Sequence, residues 1–80
     1  MTLQEKFEEM LDVVQNKSGK EIADYFNNEL EKVKNDNDKL LMLLTIVRKF
    51  RYNKMSQEDR DVCREFEKII IQLREELQNK

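Results

Sequence analysis

Leu3, Phe7, Met10, Leu11 and Val14 open the chain at the four-three-one spacing that lays one apolar stripe along a helix. The same rhythm returns at Ile22, Phe26, Leu30 and Val33, with Ala23 and Tyr25 at the margins. It returns again at Leu40, Leu43, Leu44, Ile46, Val47 and Phe50, and at Val62, Phe66, Ile69, Ile70, Leu73 and Leu77. Period-two alternation is absent, so the chain reads as four amphipathic helices over about residues 3–15, 19–34, 38–52 and 56–78. The expected architecture is all-α, a compact antiparallel four-helix bundle occupying residues 1–80 as one domain. Three helices with a long arm is the alternative.

Helix starts punctuate this pattern. Thr2-Leu3-Gln4-Glu5, Ser18-Gly19-Lys20-Glu21 and Ser56-Gln57-Glu58-Asp59 each place a hydroxyl at a helix entrance and a carboxylate three residues later. In that capping box the two side chains satisfy backbone N–H groups that the first turn leaves unpaired. The run Asn35-Asp36-Asn37-Asp38 supplies capping residues without the full box. The chain has no proline and one glycine, so nothing else interrupts the stripes.

Eighty residues support only a marginal core. One cysteine makes no intramolecular disulfide, and the absence of histidine removes the commonest zinc ligand. Well-packed helices, or association with a partner, must then supply the stability. Charged residues make up 40% of the chain, but their net is only −2 and apolar residues are interspersed, which excludes disorder by composition. All arginines lie at or after Arg48, whereas most carboxylates precede Lys39. The start lacks a signal-peptide pattern, and the apolar run from Leu40 to Val47 is too short to span a bilayer. A cytoplasmic protein with a reduced Cys63 is the expectation.

Candidate chemistry is sparse. Counting an EF-hand from Asp36 puts Leu41 where glycine is needed and Val47 where glutamate is needed, so the acidic run reads as a loop and cap. A single glycine excludes phosphate loops and dinucleotide fingerprints, and the lack of histidine excludes Ser-His and Cys-His pairs. Glu8-Glu9 and Glu75-Glu76 are helix neighbours that point about a quarter-turn apart. No catalytic, cofactor-binding or metal-binding residue is expected, and the chain reads as a non-enzyme.

Two features point towards a partner. Leu41, Met42 and Ile71 are apolar residues left over once each stripe faces the core. Either the third helix is the most enclosed element, or part of it meets a second subunit or target; the small interior favours the latter. The other feature is Arg48-Lys49-Phe50-Arg51-Tyr52-Asn53-Lys54, four cations interleaved with two aromatics. Arg48, Lys49, Arg51 and Lys54 compensate a helix C-terminus, while Tyr52 offers a stacking face. Together these residues predict binding to another protein, or to a second copy. The alternative is a nucleic-acid-binding regulator that uses segment 48–54 and the Arg60/Arg64 edge, against a pI near 5.

From Leu40 onward the chain resembles the small immunity proteins against class IIa (pediocin-like, enterocin A type) bacteriocins. The shared features are a leucine-rich third helix, the basic-aromatic junction Arg48 to Lys54, the helix start Met55-Ser56-Gln57-Glu58-Asp59 and an amphipathic last helix. The resemblance implies an antiparallel four-helix bundle acting through the membrane-embedded sugar permease that the bacteriocin targets. Members usually carry an extension after the last helix that helps set specificity; this chain ends almost at its last helix, with Gln78-Asn79-Lys80. The resemblance transfers no residue role.

Overall fold

A computed structural model describes residues 2–53 and 56–79. Its elements are α1 (Leu3–Val14), α2 (Lys20–Val33), α3 (Asn37–Tyr52) and α4 (Gln57–Gln78), each close to the span its apolar stripe predicts. The described residues contain no strand.

Three of the four helix starts are capped by the side chains their sequences supply, Thr2 with the full box and Ser56 with only its own half of one. Thr2 makes the full capping box, with Glu5 N–H donating to Thr2 Oγ1 at 3.2 Å and Thr2 N–H donating to Glu5 Oε1 at 3.3 Å. Asp36 Oδ1 accepts from the N–H groups of Asp38 and Lys39, and Ser56 Oγ accepts from Asp59 N–H. The box at Ser18 does not form. Gly19 is the N-cap of α2 instead, at φ 50° and ψ −117°, with no capping side chain. That backbone conformation lies outside the range of ordinary L-residues and delays the helix by one position. The Ser18 carbonyl accepts from Glu21 N–H at 3.0 Å, while Gly19 N–H donates to Asp59 Oδ1 at 2.8 Å. Asp59, the acidic member of the fourth cap, therefore ties the α1–α2 junction to the start of α4.

Side-chain pairing sets the helix directions. Gly19 meets Asp59 and Phe26 meets Phe66, a constant offset of 40, so α2 and α4 run parallel. Arg48 reaches Glu67 and Arg74 reaches Asn37, pairs 19 and 37 residues apart, so α3 and α4 form an antiparallel hairpin. Helix α3 packs against each of the other three, whereas the contacts of α1 are concentrated on α3. The enclosed-helix explanation for α3 is thus realised over much of its surface: Leu40, Leu43, Leu44, Ile46, Val47 and Phe50 are all buried.

Aromatic rings join the layers. Phe26 of α2 lies 5.7 Å from Phe50 of α3 and 5.4 Å from Phe66 of α4, and Phe7 of α1 lies 5.2 Å from Phe50. Each buried phenylalanine contributes about 1.5–3 kcal/mol relative to exposure. Two positions of the predicted stripes fall outside this core. Ile69 is 41% exposed because it lies a quarter-turn from Ile70, beyond the arc that faces α2 and α3; Leu11 is similarly open, since α1 buries only Met10 and Val14 fully. The accessible area is 5398 Å², close to the ~5,200 Å² of a compact monomer of this mass.

Candidate functional site

The α3–α4 hairpin has an outer face that no other helix covers. Its register, pinned by the Asn37–Arg74 bond at 3.0 Å and the Arg48–Glu67 bond at 3.1 Å, sets Leu41 level with Ile71. Leu41 is 44% exposed and Ile71 38% exposed. Along α3 the same outward stripe continues through Thr45 and Arg48 to Tyr52, at spacings of four, three and four residues. Thr45 donates its hydroxyl to the Leu41 carbonyl at 3.0 Å and so offers a methyl to the surface. Tyr52 is 79% exposed. The face therefore carries an apolar pair near one end, and a guanidinium and a phenol near the other.

Beneath the basic end lies Glu67, only 8% exposed. Arg48 Nε donates to its Oε1 at 3.1 Å. Arg51 Nε stands 2.9 Å from its Oε2, an ion contact whose angle is not that of a hydrogen bond. Two guanidiniums three residues apart on one helix thus grip one carboxylate on the next, and much of the positive charge of segment 48–54 is offset internally. Arg51 also reaches the other way: Nη2 lies 3.4 Å from the Tyr52 hydroxyl and the guanidinium 5.0 Å from its ring. That contact steadies an otherwise open phenol.

The residues singled out in the sequence consequently divide. Leu41, Ile71, Arg48 and Tyr52 share the outer face, with Arg51 at its edge and its charge turned inward. Lys49 faces α1, where Nζ donates to Gln4 Oε1 at 3.2 Å and sits 5.0 Å from the Phe7 ring. Met42 also turns towards α1 and lines a groove with Met10 and Val33. Lys54 lies outside the described residues. Arg64, on the alternative basic edge, pairs with Asp61 at 3.8 Å. Glu67 is not among the residues singled out in the sequence. The available signal was its place one residue after Phe66 and three before Ile70, on the flank of the stripe.

Cys63 and Tyr25 are both held in their protonated forms. Cys63 is fully buried, and burial, followed by Glu67 and Asp59, pushes its thiol up to about 11 against a weaker opposing pull from Arg51. It stays protonated and unreactive at neutral pH. Burial and then Glu29 push the Tyr25 hydroxyl upward, and that hydroxyl donates to Glu29 Oε1 at 3.1 Å. Among the described residues no group of three or more acidic or cysteine side chains is placed to hold a metal ion, and no helix is long and apolar enough to cross a membrane. No known protein family, curated protein or solved structure matches the chain.

Proposed function

We propose that this protein acts by binding another protein through the outer face of the α3–α4 hairpin, without chemistry of its own. The observation that carries the reading is the exposed pair Leu41 and Ile71, level with each other on the same hairpin face as Arg48 and Tyr52. Both are more than a third exposed, and both keep branched aliphatic side chains on one face. Tyr52 and Arg48 extend that face with the two residue types most enriched where binding energy concentrates besides tryptophan. A standard interface takes about 800 Å² from each partner, an area within reach of a two-helix face. Action in the cytoplasm, with Cys63 reduced, accords with this use. An immunity-type inhibitor, the kind of protein the second half resembles, is one form such a binder would take.

The nucleic-acid reading loses support from the same geometry. Glu67 offsets Arg48 and Arg51, Asp61 sits beside Arg64, and the whole chain is net negative. The deciding experiment is capture from the producing cell's extract with the wild type and with a Leu41→Glu/Ile71→Glu variant. A protein retained by the wild type and lost by the variant supports the reading. Recovery of nucleic acid that washes off steeply with salt, and depends on Arg48, replaces it with the alternative.

A further inference from the structure

The other side of α3 carries an independent inference. Met10 from α1, Val33 from α2, and Met42, Leu43 and Ile46 from α3 line a half-open cavity of about 340 Å³. This volume lies at the small end of the ~300–1,000 Å³ range of ligand pockets. Its rim is cationic. Glu29 lies at the wall, but its carboxylate is already engaged by the Tyr25 hydroxyl, by Lys6 at 3.7 Å and by Lys32 at 3.5 Å. Lys39 lines the same rim and has no ion-pair partner among the described residues. The groove wall thus carries two ammonium groups, Lys6 and Lys39, and one carboxylate, Glu29, which Lys6 already engages.

Size decides between occupants. A helix about 10 Å across, displacing roughly 850 Å³ over two turns, cannot enter a groove of this volume and could only lay side chains over its mouth. A chain one carbon wide fits, and the unbranched thioethers of Met10 and Met42 can repack around it. We infer that this groove binds a free medium-chain alkyl carboxylate, its tail along Met42 and Val33 with Met10 and Ile46 packed behind them, and its head group at Lys39. The inference does not depend on the outer face, which lies on the opposite flank of α3.

The test is a titration of the intact chain, labelled with 13C at the methionine and isoleucine methyls, with sodium decanoate. Saturable shifts of Met10, Met42 and Ile46 are expected, with Ile71 unmoved and a Kd at or below about 1 mM. Octanoate, shorter by two methylenes, should bind about fifteenfold more weakly. Lys39→Glu, a change at an exposed position, should weaken decanoate about tenfold while leaving the circular dichroism spectrum unchanged. The inference is overturned if no shift saturates, if Ile71 moves in parallel as in surfactant coating, or if decanol binds as well as decanoate. It is also overturned if an acidic leucine-rich helical peptide shifts the same methyls at lower concentration than decanoate does.

Discussion

Leu41 and Met42 are neighbours in sequence and about 100° apart on α3, and they meet opposite fates. Met42 falls under α1 and becomes one wall of a groove, its exposure cut by Met10 and Lys6. Leu41 falls on the flank that α1 does not reach and stays open beside Ile71. The same contrast runs two turns further along. Lys49 lies over the Phe7 ring and bonds Gln4, while Arg48 faces outward above a buried glutamate. The apolar surplus of α3 thus has two explanations at once: one flank is core completed by α1, and the other is surface that completes nothing in the monomer. What separates them is the placement of one short helix.

The strongest way to break the comparison is to remove what both flanks rest on. Phe26 is fully buried and touches Phe50 and Phe66, so Phe26→Ala should cost about 3–5 kcal/mol in urea unfolding and disturb both sides together. A smaller effect should separate them. Gly19→Ala forces a side chain onto a backbone at φ 50° and sets its Cβ within 2.9 Å of Glu58 Cδ. Because Glu58 is a flexible, exposed side chain, the strain comes mainly from the dihedrals, and a loss of about 1–3 kcal/mol is expected. Its methyl NMR signature should appear at Met10 and Val14, near the α1–α2 junction, before it appears at Leu41 or Ile71.

The outer flank has its own support. Glu67→Ala leaves Arg48 and Arg51 without their shared carboxylate; as both guanidiniums keep solvent access, the expected loss is about 1–2 kcal/mol rather than the full cost of an orphaned buried charge. Arg48→Ala alone should cost less. Beneath the same hairpin, Cys63 gives a pH dependence. The unfolded thiol ionises near its ordinary value of 9.0, and the folded one near about 11. Stabilisation from the protonated thiol is therefore complete below about pH 9 and is lost as pH rises to about 11. Wild type should lose more stability across that window than Cys63→Ala, by on the order of 1–2 kcal/mol in urea titrations.

Much of the fold was legible because local signals and stripes agreed. Thr2, Asp36 and Ser56 cap where their types and spacings place them, and all four helices lie within a residue of their expected limits. The failures share a cause. Ser18 lost its capping role to Gly19 because Asp59, forty residues away, holds the glycine N–H. Ile69 and Leu11 lie on correct stripes, but the arc each helix buries depends on how many neighbours it has, which no stripe encodes. The Glu67 grip on Arg48 and Arg51 likewise requires the α3–α4 register. Of the candidate face, Leu41, Ile71, Arg48 and Tyr52 could be named singly from sequence. Their meeting on one surface, and the departure of Met42 and Lys49 to the other, follow only from where α1 lies.

The smallest expected change in stability is also the most telling. In the Leu41→Glu/Ile71→Glu variant, thermal unfolding followed by circular dichroism should stay within about 0.5 kcal/mol of wild type per substitution, a shift of a few degrees at most. Retention of a partner protein by the same purified variant should be abolished. Melting lowered by tens of degrees would mean that these side chains hold the bundle together, and undiminished retention would mean that the partner docks elsewhere; either result contradicts the assignment of this face to binding.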